Sequence, residues 1–278
     1  MHVCIVGAGI VGLATAYALQ RAGCRITVLE RGPGPAAGAS GGNGAQLSYS
    51  YVQPLADPGI WKMLPQLLLE KDSPLALRLR ADPAQWAWGL RFLGACNARA
   101  SMAGTQALLR LAAESRQAFE RLQAQESLSC ALHTPGKLVL YHTQQGLDAA
   151  ARQVALQSRL GGASQQVVDA TAAVRLVAAL AGYAGRMAGA VHTPSESAAD
   201  CRQLCEQLAA LLAARGAELR YDTEVLGFER QGDAVTGLRT AAGLLQAEHY
   251  VLASGWESPA HARQLGLSIP VYPLKGYS

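Results

Sequence analysis

The sequence predicts an α/β fold that opens with a βαβ unit, and three observations support this prediction. Residues 3–6 form a short apolar run, residues 13–19 place apolar or small side chains at helical spacing, and residues 26–29 form a second apolar run. Parallel strands buried on both faces read as continuous apolar runs, and a helix between two of them is their usual crossover. Glycines stand where one element changes to the next, at Gly7, Gly9, Gly12 and Gly23.

The composition is that of a globular chain with one large or two ordinary domains. Of 278 residues, 50% are hydrophobic and 16% are charged, which excludes disorder as the main state. The net charge is +4, and the 24 basic residues are scattered, so we expect no nucleic-acid partner. The six cysteines form no C-x-x-C pair, which indicates unpaired thiols in a reducing compartment.

The uncharged run of residues 3–19 raises the alternatives of a membrane span and a signal peptide. The run has 17 residues, whereas a span needs about 20 apolar residues. A signal peptide begins with a basic segment, but only Met1 and His2 precede the run. The βαβ interpretation is therefore favoured over both alternatives.

The turn after the first strand carries the G-x-G-x-x-G fingerprint of dinucleotide-binding units. Gly7 permits a tight turn, Gly9 allows a pyrophosphate to approach the main chain, and Gly12 allows the helix to pack closely on the sheet. The free N–H groups and the dipole of the helix start attract the phosphate charge.

Glu30 ends the second strand, where a carboxylate can accept hydrogen bonds from both ribose hydroxyls. It would also repel a 2′-phosphate, which argues against an NADP site. The fingerprint leaves FAD and NAD open. A second Gly-rich stretch, residues 39–46, favours a main chain that lies against a flat, extended cofactor over an ordinary surface loop.

The motifs together resemble the FAD-dependent D-amino-acid oxidase (DAO) superfamily. Residues 3–19, with Glu30 at the end of the second strand, carry the general likeness. Residues 43–48, 200–202 and 271–278 narrow it to the small subunit of bacterial D-amino acid dehydrogenases, and the last octapeptide is the most specific match.

The resemblance implies a Rossmann-like FAD-binding domain with a discontinuous α+β substrate domain. We expect the FAD-binding domain to comprise residues 1–57 and 195–262, and the substrate domain to comprise 58–194 and 263–278. The expected FAD contacts are Val6, Gly7, Ala8, Gly9, Ile10, Val11, Gly12, Glu30, Arg31, Ser40, Asn43, Gly44, Gln46, Val225, Ala253, Ser254 and Gly255. The contacts at Val225 and at residues 253–255 are implied by the resemblance alone.

The implied activity is oxidation of a D-amino acid to a 2-oxo acid and ammonia, with hydride transfer from Cα to flavin N5. The electrons would pass to a quinone or another carrier. This chemistry needs orientation more than an acid or base, and no catalytic side chain is assigned. Tyr51 and Tyr277 are candidates to face the substrate, although packed tyrosines with satisfied hydroxyls are the plainer interpretation.

We expect no metal site, because the histidines and cysteines lack partners at ligand spacing. A cytoplasmic location is expected. Peripheral contact with the inner face of the plasma membrane is implied only by the resemblance. Three alternatives stay open: a glycine- or sarcosine-type FAD oxidase that uses oxygen, a non-catalytic FAD-binding subunit, and an NAD-linked dehydrogenase.

Elsewhere the patterns predict helices over 58–127, 145–182 and 195–216. Strands are predicted at 137–141, 218–221 and 250–253, with a small antiparallel meander between 225 and 240. A further apolar strand is predicted to begin at 269. Because a strand is a poor natural terminus, we expect the chain to be C-terminally incomplete, and to bind FAD weakly and lack turnover on its own.

Overall fold

The computed structural model describes residues 1–62, 64, 81–274 and 276, and the chain forms two compact units. The first unit comprises residues 1–45, 127–132 and 199–278, and the second comprises residues 46–126 and 133–198. These bounds differ from the predicted domains at residues 46–57, 127–132, 195–198 and 263–278. One reason is local: Gln46–Leu47 pairs antiparallel with Ser197–Ala198, and this pairing joins both segments to the second unit.

The secondary structure alternates between strands and helices along most of the described chain. The strands are β1 (His2–Val6), β2 (Arg25–Leu29), β3 (Gln46–Leu47), β4 (Lys137–Tyr141), β5 (Gln166–Asp169), β6 (Gly189–Thr193), β7 (Ser197–Ala198), β8 (Glu218–Arg220), β9 (Gly227–Gln231), β10 (Ala234–Thr240), β11 (Gly243–Leu245) and β12 (His249–Leu252). The α-helices are α1 (Ile10–Arg21), α2 (Pro83–Ala95), α3 (Ala98–Glu126), α4 (Gln144–Arg159), α5 (Ala170–Leu176), α6 (Cys201–Ala214) and α7 (Ser258–Gln264). Short 3₁₀ turns occur at Ala39–Gly42, Ala178–Arg186 and Gly255–Glu257.

The first unit is built on a parallel sheet with strand order β12-β1-β2-β8, which confirms the predicted α/β class. The four residues 3–6 of β1 are buried, as expected for a central strand covered on both faces. All four strands run in one direction, so their carboxyl ends meet at one edge of the sheet. This edge is where ligands bind in open α/β folds.

Helix α1 follows β1 directly because the glycine fingerprint provides the turn between them. Its buried side presents Leu13, Ala16 and Tyr17, and Gly23, at φ +85°, lies just beyond its end. The side-chain amide of Gln20 donates to the carbonyls of Leu212 and Arg215 at 3.2 and 3.3 Å, which ties α1 to the end of α6.

Helix α6 begins later than the predicted residue 195. The Asp200 carboxylate accepts a hydrogen bond from the Gln203 amide at 3.0 Å and caps the helix there. Residues 197–198 form β7 instead. The predicted meander is confirmed and has a third strand, with sheet order β11-β10-β9. It packs its Leu238 and Leu245 against Cys4 and Leu29 of the parallel sheet.

The second unit contains an antiparallel sheet of order β4-β6-β5, whose core is formed by Ala173, Met187 and Ala190. Strand β4 is confirmed as predicted. The continuous helix predicted over 145–182 is wrong, because β5 interrupts it. Two consecutive glycines follow α4, and the β-branched pair Val167-Val168 then suits a strand.

The strand predicted from residue 269 is also not formed in the part of it that the structure describes; residues 275, 277 and 278 lie outside that part. Residues 269–274 take no strand conformation, and among the described residues no strand pairs with them. An apolar run without a pairing partner cannot form a ladder, whatever its propensity.

Candidate functional site

A cleft of about 660 Å³ lies in the first unit, at the carboxyl ends of β1, β2 and β12. This volume is within the range of about 300–1,000 Å³ that is typical of small-molecule sites. Its walls come from residues between 6 and 11, 29 and 33, 37 and 40, 223 and 225, and 252 and 261. The cleft therefore stands where the parallel sheet and the first helix predict a ligand.

Two glycines of the fingerprint are required by the backbone itself. Gly7 has φ +109°, and a Cβ there would stand 2.6 Å from the carbonyl oxygen of Ala253. A Cβ at Gly12 would stand 1.9 Å from the carbonyl oxygen of Gly7. Side chains at either position would push β1, α1 and the end of β12 apart.

Gly9 has a different environment. A Cβ there would approach only the Ser40 hydroxyl, at 3.1 Å. The absence of a side chain leaves the main chain at the start of α1 open to the cleft. This is the geometry that a diphosphate needs for close approach.

The amino end of α1 is prepared for an anion. The Ile10 amide donates to the Ser40 hydroxyl at 3.0 Å, so a residue of the Gly-rich stretch 39–46 caps the helix from outside. The other first-turn amides have no carbonyl within the helix to bind. Together with the helix dipole, these amides suit an anion placed beside Gly9.

The Glu30 carboxylate is held at the base of the cleft. Its Oε2 accepts from the Ala8 amide and its Oε1 from the Gly32 amide, both at 2.8 Å. The Glu30 carbonyl accepts a hydrogen bond from the Thr223 amide at 2.9 Å. This hydrogen bond places residues 223–225 next to Glu30. A carboxylate offers about four acceptor positions, so each oxygen retains capacity for one ribose hydroxyl.

The family of the chain is decided by comparison with known proteins. Residues 2–278 match the family model described as FAD dependent oxidoreductase. The chain belongs to this family. FAD is the family's cofactor, and this decides between the two dinucleotides that the fingerprint left open.

Curated relatives in this flavoprotein family match the whole of the chain. "D-amino acid dehydrogenase 2" of Ralstonia nicotianae is 42% identical over 280 residues, covering 100% of this chain and 66% of the relative. "D-amino acid dehydrogenase 2" of Pseudomonas aeruginosa is 40% identical over 279 residues, covering 100% and 65% respectively. The chain thus spans just under two thirds of the length of these relatives.

Solved structures of other flavoproteins share the fold. L-proline dehydrogenase from P. horikoshii aligns with a TM-score of 0.68 at 17% identity, over 96% of this chain and 56% of that one. Glycine oxidase from Geobacillus kaustophilus aligns with a TM-score of 0.66 at 22% identity, over 96% and 58%. These likenesses support the fold of both units.

The residues of the cleft fit FAD. The open main chain at Gly9 and the start of α1 suit its diphosphate, and Glu30 suits its ribose. The apolar side chains of Val11 and Trp256 line the cleft although they are 67% and 58% exposed. Apolar surface at the rim of a cleft is what a flat aromatic cofactor would cover.

Most predicted cofactor residues lie together in this cleft. Those that line it are Val6, Gly7, Gly9, Ile10, Val11, Glu30, Arg31, Ser40, Val225, Ala253, Ser254 and Gly255. Ala8 and Gly12 are buried beneath it and act through the backbone. Asn43, Gly44 and Gln46 are exposed and do not line the cleft, and the Asn43 side chain instead accepts from the Ala45 amide at 2.9 Å.

Sequence reasoning missed several residues of the cleft lining, among them Thr223, Glu257 and His261. Glu257 and His261 follow the turn after β12, and Thr223 precedes Val225. The Arg31 guanidinium pairs with the Glu257 carboxylate at 2.5 Å. No spacing rule links residues 31 and 257, so only the return of the chain to the parallel sheet could have suggested this pair.

The predicted substrate-facing tyrosines lie outside the cleft or outside the described residues. Tyr51 belongs to the second unit and is 55% exposed, with the Lys137 ammonium 4.4 Å from its ring centroid. The Lys137 ammonium also donates to the Ser48 hydroxyl at 2.8 Å. Desolvation lowers the pKa of Lys137 from its ordinary value, against an opposing effect of Glu196. Tyr277 lies outside the described residues.

Glu196 is a buried carboxylate that no sequence motif singles out. It is 2% exposed, and its Oε1 accepts from the amides of Tyr49 and Ser50 at 3.1 and 2.9 Å. The segment around residues 48–51 is therefore held by Glu196 through its main chain and by Lys137 through Ser48.

Neither a metal site nor a membrane-spanning helix is found among the described residues. Within residues 1–62, 64, 81–274 and 276, no group of three or more His, Cys, Asp or Glu side chains is placed to hold a metal. Over the same residues, no helix combines the length and the apolar character that crossing a bilayer requires. None of the six cysteines forms a disulfide, and burial raises the pKa of Cys4 to about 12.

Proposed function

We propose that the chain is part of an FAD-dependent D-amino acid dehydrogenase. The observation that carries this proposal is identity of 36–42% to relatives of that name across the whole chain, together with a cleft whose residues fit the cofactor. The proposed reaction converts a D-amino acid to a 2-oxo acid and ammonia. The proposed electron acceptor is a quinone or another carrier.

The first unit binds and orients the cofactor in this proposal. Main-chain amides at the start of α1 and the Ser40 hydroxyl bind the diphosphate, and Glu30 binds the adenosine ribose. Residues 253–255 and Val225 supply further main-chain contacts. When bound, FAD supplies the two-electron acceptor for the hydride from the substrate Cα.

We also propose that the Gly-rich stretch that includes Asn43, Gly44 and Gln46 contacts the edge of the flavin ring. Main-chain N–H groups there stabilise negative charge that develops on reduction. Tyr51 is proposed to face the substrate, held by the same segment that Glu196 and Lys137 fix. Tyr277 is also proposed to face the substrate, and this proposal rests on the sequence alone.

The proposed location is cytoplasmic, with peripheral contact at the inner face of the plasma membrane, where a quinone would be reached. Six cysteines that form no disulfide support a reducing compartment. Because the chain spans under two thirds of the relatives' length, the activity, the substrate and the acceptor are all proposals for the whole protein.

Anaerobic reduction tests the proposal without a need for turnover. The protein is loaded with excess FAD under nitrogen, and the flavin absorption is followed as D-alanine or L-alanine is added. Bleaching by the D-enantiomer alone supports the proposal. Bleaching by the L-enantiomer alone contradicts it. Bound flavin that no D-amino acid reduces in the full-length protein favours a non-catalytic FAD-binding subunit.

The electron acceptor is tested on the reduced protein. Reoxidation by a quinone or a dye without hydrogen peroxide indicates a dehydrogenase. Rapid reoxidation by oxygen with stoichiometric peroxide would instead indicate an oxidase of the glycine or sarcosine type.

A further inference from the structure

We propose that Arg202, in the first turn of α6, is a positioning residue for the flavin half of the cofactor, and that it acts through the main chain of Gly41. Arg202 does not line the cleft, so it holds the segment beside the cofactor rather than the cofactor itself. Since residues 41–45 are taken as the segment beside the flavin, this assignment rests on the proposed function. It gives a function to residues 200–202, which the glycine fingerprint does not explain.

Two alanines in the left-handed backbone conformation bound the segment of residues 36–45. Ala36 has φ +56° and Ala45 has φ +57°. A residue with a Cβ rarely adopts this conformation, and the conformation persists only where the surrounding structure holds it. Residues 42–45 are exposed, so no packed side chains cover this part of the segment. Its conformation therefore depends on contacts that other elements make at its two ends.

The end of the segment near Ala36 is held by the fingerprint turn. The Ala36 amide donates a hydrogen bond to the Ala8 carbonyl at 3.0 Å. The Ser40 hydroxyl accepts one from the Ile10 amide, also at 3.0 Å. Both partners belong to the turn that is proposed to bind the diphosphate, so this end of the segment is fixed together with the diphosphate site.

The other end of the segment is held by residues at the start of α6. The Ala199 amide donates a hydrogen bond to the Ala45 carbonyl at 2.9 Å. The Arg202 guanidinium packs against Gly41, where a Cβ would stand 2.6 Å from its Nη2 and 3.1 Å from its Cζ. The same Cβ would overlap the carbonyl oxygen of Ala36. Gly41 is therefore enclosed between the Ala36 carbonyl and the Arg202 guanidinium, and only glycine leaves room for both.

The start of α6 is itself fixed, which gives Arg202 a stable base. The Asp200 carboxylate caps the helix at the Gln203 amide, at 3.0 Å. The Asp200 amide donates a hydrogen bond to the Cys130 carbonyl at 2.8 Å. Because the helix cannot shift freely, the Arg202 side chain can hold the Gly41 main chain in one place.

The two sets of contacts act on different parts of the segment. The fingerprint turn fixes residues 36–40, and α6 fixes residues 41–45. Main-chain amides that are ordered before a ligand binds lose less conformational freedom on binding. Removal of the Arg202 guanidinium should therefore loosen the amides beside the flavin and leave the diphosphate site intact.

Isothermal titration with FAD and with ADP separates the two ends, since ADP carries the adenosine and the diphosphate but no flavin. The dissociation constants are measured for the wild type, Arg202→Met and Ser40→Ala. Methionine keeps an unbranched stem and removes the guanidinium. Arg239→Met is the matched control, because the Arg239 guanidinium packs against Gly227 in the same unit and neither residue lines the cleft.

Arg202→Met should weaken FAD binding by about fivefold and change ADP binding by less than about twofold. Ser40→Ala should weaken both ligands by a similar factor, because Ser40 belongs to the diphosphate end. The absorption spectrum of FAD bound to Arg202→Met should move toward that of free FAD, which a loss of global stability alone would not cause. Arg239→Met should match the wild type in both affinities and in the spectrum.

Two results would overturn the inference while FAD binding stands. One is a wild-type FAD affinity and flavin spectrum in Arg202→Met. The other is an equal loss for FAD and ADP in Arg202→Met, which would show that Arg202 supports the whole cleft rather than its flavin end. Failure of the folded wild type to bind FAD would instead overturn the proposed function on which the inference rests. Urea unfolding of each variant establishes that it is folded.

Discussion

Replacement of Gly12 by alanine tests how closely α1 must approach the sheet. The new Cβ would lie 1.9 Å from the Gly7 carbonyl oxygen, so the two main chains must separate by about 1.5 Å to reach ordinary contact. Alanine favours a helix over glycine by about 1 kcal/mol. Overpacking of a rigid interior typically costs about 1–3 kcal/mol, and more when the obstacle is backbone.

The steric effect should therefore exceed the gain in helix propensity. We expect Gly12→Ala to lower the free energy of unfolding by about 2 kcal/mol, measured as a lower urea midpoint at unchanged slope. It should also weaken FAD binding, because the start of α1 carries the diphosphate amides.

Gly89→Ala is the matched control. Gly89 lies within α2, and a Cβ there would meet nothing within 4 Å. The same substitution should raise the free energy of unfolding by about 0.5–1 kcal/mol. A Gly12→Ala variant as stable as the wild type, with Gly89→Ala stabilised as expected, would refute the reasoning about close packing.

Three further predictions concern groups outside the fingerprint turn. Glu196→Ala leaves the amides of Tyr49 and Ser50 without their acceptor, and should lower the free energy of unfolding, measured by urea titration, by about 2–4 kcal/mol. Glu196→Gln keeps a carbonyl acceptor and should lower it clearly less. Equal losses in the two variants would contradict this prediction.

The hydrogen bond from Arg220 lowers the pKa of Glu218 below its ordinary 4.5, so its stabilising effect is complete above that value and is lost as the pH falls further. Glu218→Gln should flatten stability against pH below 4.5, and an unchanged acid limb would contradict this. Burial raises the pKa of Cys4 and Cys205 to about 12. Both thiols should therefore resist Ellman's reagent at pH 8 until urea is added. Rapid labelling of the native protein at these two cysteines would count against their burial.

The sequence was sufficient to predict β1, α1 and β2 in the parallel core of the first unit, because local signals and tertiary structure agree there. The apolar runs of β1 and β2, the glycines between them and the terminal Glu30 each have a short-range explanation. The same signals located the part of the cleft formed by β1, the start of α1 and the end of β2, whereas Val225 and residues 253–255 were implied by the resemblance alone. Local consistency of this kind is typical of segments that fold around one sheet.

The errors came from features that depend on distant partners. The alanine-rich stretch over 145–182 predicts a helix at residues 166–169, but pairing with β6 makes these residues a strand. The apolar run from residue 269 has no neighbouring strand in the described structure and remains irregular. Propensity cannot reveal whether a partner strand is present.

The site residues that the sequence did not predict were missed for the same reason, which is that they depend on distant partners. Glu257 pairs with Arg31 across more than two hundred residues of chain. The Glu196 carboxylate accepts from the amides of Tyr49 and Ser50, which lie 147 and 146 residues earlier. Neither acid belongs to a motif with fixed spacing. Their functions become visible only when the chain segments are brought together.

The central claim is that the open main chain at Gly9, with Glu30 below it, holds FAD. Titration of the folded, FAD-free protein with FAD, followed by flavin fluorescence and then by the absorption spectrum after gel filtration, tests this claim most directly. Saturable binding of one FAD per chain is the predicted result. A folded protein that stays colourless and shows no saturable binding in a large excess of FAD would contradict the account.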